Sequence, residues 1–520
     1  MTQRMRHRCQ GRPGPLGGVV ALAALLLPVA GPAAVAGAAT APTGVAYAWG
    51  ANAYGELGHT PLSDALTPVP VSGLPSGVLH VIAAARHSFA ILADGSVRAW
   101  GRGTAGELGN GKAANSATPV AVSGFGAGSG VAALAGNAQP ITSTNPSGDG
   151  HSMALKSNGA VYGWGHDDSG EVGNGISLPI PPGTDVNILK PVPVVGLGSG
   201  SGVVAIAAGG SHSLALKSSG AVLAWGHDSS GQLGDGAALP GADHSSPVTV
   251  SGLGAGSGVV QVSAGTSFSV ARKADGTVWT WGNNASGQLG DGTTSDRSTP
   301  AQVPGLSNVR EVEAGDAFVV AVKKDGSVWA WGNNASGEIG NGKAPADQHT
   351  PAAVTGLGAG SGVTSVSAAF SHVVALRVDG TVLVWGRNTS GQLGDGTTKQ
   401  RNVPGVLRGM NRVVEISAGG SHTLISRAPQ VAIAPGSGHA GTHVTITGTR
   451  FHPGETVNVV YVTRLASPSG VVLCRAKANT KRTFTCHAVI PSKSGPRGKH
   501  SVVATGVTSH LHASTTFKLT

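Results

Sequence analysis

The chain has 520 residues, with 83 Gly and 30 Pro, 40% hydrophobic residues, and only 12% charged and 4% aromatic. The apolar share excludes a fully solvated, disordered chain, and so much glycine with so little charge points to many turns between short buried strands. The formal net charge of +10 is unevenly placed: residues 39–428 carry 21 basic and 24 acidic residues, whereas residues 429–520 carry ten Lys/Arg against the single acid Glu455.

The first segment reads as a processing signal. Arg4, Arg6, Arg8 and Arg12 precede an apolar stretch from Leu16 to Ala30, and small residues with A-x-A options follow near Ala36–Ala38. That order is the one a secretory signal peptide uses, and the apolar run is too short and too broken by Pro and Gly for a membrane span. Residues 1–38 are therefore expected to be removed, giving a secreted or envelope-associated protein with no later transmembrane segment. Removal takes Cys9 and leaves Cys474 and Cys486, an even pair that reads as a disulfide in an exported protein.

From Val45 the chain repeats. Trp-Gly pairs begin at Trp49, Trp100, Trp164, Trp225, Trp281, Trp331 and Trp385, at intervals of 50 to 64 residues. Each is followed by G-x-[LVI]-G, the first at Gly55–Gly58 and the last at Gly391–Gly394, and six of the seven continue with Asn-Gly or Asp-Gly. Two copies, Gly106–Ala113 (GELGNGKA) and Gly337–Ala344 (GEIGNGKA), fall one residue short of the phosphate-binding G-x-x-x-x-G-K-[ST]. That loop needs a strand before it, a helix after it and a hydroxyl for magnesium. Here Ala113 and Ala344 stand at the hydroxyl position, no helical periodicity follows, and sister copies carry Ala237, Thr293 or Thr397 in place of the lysine. These segments are turns, and no cofactor is expected.

One repeat shows the strands. Residues 202–207 (GVVAIA) are apolar and β-branched, 213–217 alternate, 221–226 (AVLAWG) form a third strand and 246–252 a fourth. Asp275-Gly276, Asp325-Gly326 and Asp379-Gly380 are sharper hairpin signals. Four short antiparallel strands in a unit of this length make a propeller blade. The ends give the count: Val45–Gly50 lacks two strands before it, and the last copy has them, at 413–418 and 422–426, but lacks the Trp-Gly strand. Joined, they make one blade, and seven blades close.

The segments "AAGGSHSLAL" (Ala207–Leu216) and "WGHDSSGQLGDG" together with the seven-fold count resemble the regulator of chromosome condensation repeat family, over about Val45 to Arg427. The resemblance implies a seven-bladed β-propeller. The best-known member exchanges guanine nucleotide on a nuclear GTPase through a wedge and surface loops outside the repeat motif, so the family brings that label and not that activity to an exported chain. A secreted bacterial propeller of this type inhibits β-lactamases, which makes a protein inhibitor one alternative; an enzyme with a site in the propeller funnel is another.

Five histidines, His87, His151, His212, His372 and His422, share one repeat position with Phe268 and Phe318. A position that accepts Phe asks for a flat, half-buried ring, so these histidines are read as packing, with no catalytic or metal residue expected. The tryptophans read likewise as contacts between blades, each with an indole N–H for a loop carbonyl. Residues 136–150 and 176–190 depart from the repeat, and such loops are where recognition is carried.

At Pro429 the composition shifts. "APGSGHAGTHVTITGTRFHPGETVNVVYV" (Ala434–Val462) resembles the immunoglobulin-like domains of plexins and some transcription factors, and further strands are expected at 470–474, 483–489, 500–505 and 513–519. Residues 429–520 are expected to form a small β-sandwich, with Cys474 and Cys486 linking neighbouring strands or a loop between them. Arg475, Lys477, Lys481 and Arg482 cluster, as do Lys493, Arg497 and Lys499. They favour an anionic partner, a cell-wall polymer or lipid head groups; the exported location sets nucleic acid aside. The fold expected is all-β: a seven-bladed propeller closed by its terminal strands (39–428), then the basic sandwich. The function expected is non-enzymatic binding of an extracellular protein or glycan.

Overall fold

The computed structural model describes residues 44–74, 77–136, 150–176, 186–237, 239–451, 454–465, 469–479, 482–507 and 511–520. The signal segment, Lys481 and most of the lengthened loops 136–150 and 176–190 lie outside the described residues. Every regular element among the described residues is a strand.

Seven four-stranded antiparallel sheets form the propeller, built from residues 78–121, 131–193, 203–249, 259–302, 309–353, 363–406, and a composite of 413–427 with 45–70. These are called here the first to the seventh blade. In the seventh, Val45–Gly50 lies between Ala65–Pro70 and His422–Arg427, paired residue for residue with the latter from Val45↔Arg427 to Gly50↔His422. The ring is closed by strands from its two ends, as the repeat count implied. Strand limits differ from the expectation by up to three residues. The fourth strand of the third blade, expected at 246–252, is His244–Thr249, because Gly226 pairs with His244 directly after the loop.

Each blade's first strand lines the central channel and its fourth lies outermost. The fourth strands all carry proline at their fourth residue, from Pro68 to Pro404. A proline removes one ladder donor, so it is tolerated on an open edge and discourages further strands from adding there. The hairpin turns behave as the Asp-Gly signals require. Asp94, Asp275 and Asp325 each accept from the backbone N–H and hydroxyl two residues on, at 2.7–2.9 Å, and the following glycines have φ of 80–86°.

Residues 430–519 form two further sheets, one of three strands and one of five. They enclose a core of Val444, Ile446, Phe451, Val457, Val459, Tyr461, Phe484 and Phe517. The Cys474–Cys486 disulfide joins Gly470–Lys477 of the larger sheet to Thr483–Val489 of the smaller. The strands are consecutive in the chain but belong to different sheets, so the bond ties the sandwich's two layers together. Val45 of the propeller belongs to this same core, and Tyr47 packs on it beneath the Arg427 guanidinium at 5.3 Å.

Candidate functional site

The repeat motif is a device for joining blades. All seven tryptophans of the Trp-Gly pairs are fully buried. Each indole N–H donates to a carbonyl in the glycine-rich loop of the preceding blade, at 2.8–3.0 Å: Trp100 to Glu56, Trp164 to Glu107, Trp225 to Glu171, and so on round to Trp49, which bonds Gln392. The second glycine of each G-x-[LVI]-G, from Gly58 to Gly394, has φ of 61–76°, and a Cβ there would lie 2.5–2.9 Å from the indole nitrogen of the next blade. Glycine is needed for both reasons. In the two near-phosphate loops Lys112 and Lys343 are exposed and a strand follows, Ser116–Ala121 and Gln348–Ala353.

The histidines follow the same plan. Nε2 of His87, His151, His212, His372 and His422 lies 2.8–3.0 Å from the hydroxyl of Ser152, Ser213, Ser269, Thr423 and Ser88, each on the next blade. Each hydroxyl donates its one proton to the carbonyl that also receives a tryptophan N–H. The histidine must therefore supply the proton of its own bond, which sets the Nε2–H tautomer. Burial drives each imidazole pKa down to about 3, so the rings are neutral. Where the ring is Phe268 or Phe318, the facing residue is Val319 or Val373 within one apolar cluster. The rings are fully buried rather than half-buried, and a side-chain hydroxyl is the partner. No signal within one repeat could show this; comparing each ring with the residue that follows the ring position in the next repeat could.

The channel has two unlike halves around a cavity of about 190 Å³. Ile82, Ala83, Ala135, Ile206 and Ala207 make one side apolar, and Gln261, Ser263, Glu313, Ser367 and Ser417 make the other polar. The polar side straps first strands together. Gln261 Oε1 accepts from Val312 N–H, Ser263 from Ala314, Glu311 from Val366, Ser367 from Ala418, and Glu415 and Ser417 from Val81 and Ala83. Burial raises the Glu311 pKa to about 7 and that of Glu313 well above the usual carboxyl range, with Glu311 adding to the rise at Glu313. These side chains hold blades in register.

Two loops carry an unusual acid. Two residues after the Trp-Gly pair, Asn52, Asn284, Asn334 and Asn388 accept the N–H of the residue five further on and donate Nδ2 protons to loop carbonyls. Asp167 and Asp228 accept the same N–H, at 2.9 and 2.8 Å, but as carboxylates have nothing to donate, and Asp228 Oδ2 is buried without a hydrogen-bond partner. Burial pushes their pKa up to about 7 and about 6. A folded pKa above the unfolded one means a contribution fully present below about pH 4 and lost as pH rises through about 6. Asp228→Asn should therefore stabilise the chain by about 1–3 kcal/mol at about pH 8, with little effect near pH 4, in calorimetric melts at both pH values. Equal shifts at the two pH values would refute a burial-raised Asp228 carboxyl.

The sandwich residues divide. Arg475, Lys477, Lys493, Arg497 and Lys499 are exposed. Arg482 is half-buried, its pKa lowered by burial and partly restored by Tyr47, so it belongs with the propeller contact rather than with its cluster. Arg475 and Lys477 pair across from Asn458 and Thr456 at one end of the five-stranded sheet, while Lys499 pairs with the exposed Lys518 towards the other end. The alternation of strand residues puts all four on the outward face. The composition singled out three of these; Lys518 became visible only through the register. Glu455, the one acid of this region, is buried.

These features define a class: a seven-bladed propeller whose blades are locked by one Trp-to-loop bond and one ring contact each. The chain belongs to the RCC1-like domain family, whose model matches residues 139–425, and the regulator of chromosome condensation (RCC1) repeat matches residues 43–91. It is 32% identical over 393 residues to the E3 ubiquitin-protein ligase HERC2 of Homo sapiens, covering 74% of this chain and 8% of HERC2. It is 31% identical to the ultraviolet-B receptor UVR8 of Arabidopsis thaliana, covering 70% of this chain and 66% of UVR8. The chain thus spans less than two thirds of either relative. Among solved structures, Prp20p of Saccharomyces cerevisiae superposes with a TM-score of 0.59 at 21% identity, over 74% of this chain and 92% of that one. Human WBSCR16 does so with the same TM-score and identity, over 74% and 98%. Both share the fold.

Proposed function

We propose that the protein is an exported, non-enzymatic binding protein whose propeller loops contact an extracellular protein or glycan while an immunoglobulin-like sandwich docks to the anionic envelope. The observation that carries the docking is the outward sandwich face, which presents Arg475, Lys477, Lys499 and Lys518 while the region's single carboxylate, Glu455, is buried. Exposed charges attract an anionic surface at long range, and salt screens them over about 8–10 Å at physiological strength.

The chain from residue 39 onward should bind anionic wall fragments or anionic lipid vesicles at low salt and leave them near about 1 M. Replacing Arg475, Lys477, Lys493, Arg497 and Lys499 by Ser should remove most of the retention in a co-sedimentation assay without changing the melting temperature. Retention that ignores salt, or that survives the replacement, would return the sandwich to a spacer.

A further inference from the structure

The loop of the second blade holds a group of side chains that its sister loops lack. His166 Nδ1 lies 3.6 Å from Asp168 Oδ1 and 3.6 Å from Glu171 Oε1, and the three ligand atoms all lie within 4.8 Å of one another. Glu171 is buried and accepts the Ser169 N–H on Oε2 at 2.9 Å, which fixes its carboxylate and aims Oε1 at the imidazole. Asp168 is 57% exposed, so the group opens to solvent on one side. Four ligands at about 2.0–2.2 Å from a tetrahedral ion lie about 3.3–3.6 Å apart, which the two separations from the His166 nitrogen match.

The sister loops show what is structural and what is added. The first and sixth positions after Trp-Gly pair elsewhere too: Arg102 Nε lies 3.6 Å from Glu107 Oε1, and Gln288 Nε2 donates to Asn283 Oδ1 at 2.7 Å. The scaffold therefore holds these two positions together whichever residues occupy them. The third position is Ala53, Thr104, Ser229, Ala285, Ala335 or Thr389 in the other six loops, and a carboxylate, Asp168, only in the second blade. A second imidazole stands beside the group from the third blade. His227 Nδ1 is 3.0 Å from Asp243 Oδ1, and its pKa is held up by Asp243, with Glu171 and Asp168 adding to the rise. One loop thus offers an imidazole and two carboxylates, and the His227–Asp243 pair of the third blade lies close enough to feel the charge of both carboxylates.

We propose that His166, Asp168 and Glu171 bind a divalent transition ion of the zinc class, with one coordination position left open. Imidazole with carboxylate suits Zn²⁺, Co²⁺ or Ni²⁺ better than Ca²⁺, which takes six to eight oxygens. Three protein ligands and an open fourth position would let a partner's donor group complete the ion. The site is independent of the envelope docking above and lies on the propeller, not on the basic sandwich.

The test uses the chain from residue 39, stripped with chelator and titrated calorimetrically with ZnCl₂, with Co²⁺ absorption as a second readout. Binding at one site per chain with a Kd of about 10 µM or tighter is expected, together with a melting temperature that rises with Zn²⁺. His166→Asn with Asp168→Ser installs residue types that sister loops already accept at Asn283 and Ser229, so folding should persist. That double change should weaken binding at least about tenfold while leaving the chelated melting temperature in place. Asp168→Ser alone, at an exposed position, gives the same comparison should the double variant fold poorly. No saturable binding below about 1 mM, or undiminished binding by the variants, as sandwich histidines would give, overturns the proposal.

Discussion

A chain lacking Val45–Gly50 is expected to lose its cooperative melting transition and to elute as aggregate. This strand sits between two others, so its removal breaks two ladders at once and leaves Ala65–Pro70 with no sheet. His422–Arg427 would become an open edge of unpaired N–H and C=O groups, which recruits other chains. Trp49 leaves with the strand, along with its bond to Gln392, and a lost core Trp costs about 3–5 kcal/mol by itself. Ala46 and Ala48 are also fully covered. A folded domain has only about 5–15 kcal/mol in hand, so losing the Trp together with two strand ladders takes a large share of it. The sandwich should loosen as well, because Val45 is in its core and Tyr47 lies against it. Scanning calorimetry and size-exclusion chromatography read both outcomes. A sharp transition at the wild-type temperature in monomeric protein would show that the ring does not depend on its terminal strand.

The second large effect is at the ring contacts between blades. His212→Phe should leave Ser269 without the imidazole N–H, and Ser269→Val should leave that N–H buried without an acceptor. Each costs about 1–3 kcal/mol. Made together they reproduce the pairing seen at Phe268 with Val319 and Phe318 with Val373, so the double variant should recover most of the loss. The coupling in a double-mutant cycle should reach about 1–3 kcal/mol. The acid arm has a definite sign. His212 falls to about 3 on folding from its ordinary 6.5, so unfolding takes up a proton between those values. Stability from this residue is fully present above about pH 6.5 and declines by about 1.4 kcal/mol per pH unit below it. Phe takes up no proton, so the double variant should gain on the wild type as pH falls from about 6.5 towards 4. Additive single changes, or a difference that ignores pH, would mean that ring and hydroxyl do not act as a pair.

The repeat was legible because its information is local. A Trp-Gly strand, a G-x-[LVI]-G turn and an Asp-Gly hairpin each specify a few neighbouring φ/ψ values or one buried face. Seven copies in order then fix the blade count and the need for Val45–Gly50 to complete the last blade. The same locality exposed the near-phosphate loops as turns, since the sister copies show which positions tolerate other residues. The basic sandwich and its cysteine pair were visible from composition for a similar reason: ten cations with one acid stand out without any contact being known.

What the tertiary structure decided are contacts between residues some 50 to 65 positions apart, or 334 across the closure, as for His87 with Ser152 and Ser88 with His422. Which hydroxyl meets which ring depends on the angle between blades and not on any dihedral within one. The covariation of His with Ser or Thr and of Phe with Val gains its meaning only from that angle. The same holds where Arg482 turns to Tyr47, where Lys499 falls opposite Lys518, and where the disulfide joins two sheets rather than two ladder neighbours. His166, Asp168 and Glu171 lie within six residues, yet their grouping needed the loop's folded path and the third blade's His227 beside it. Turns and strand periods are properties of the chain's own geometry, and so the sequence by itself determined the blades and their number. Packing partners, burial and the pKa values that follow are properties of how the blades are brought face to face, and only the closed ring determined those.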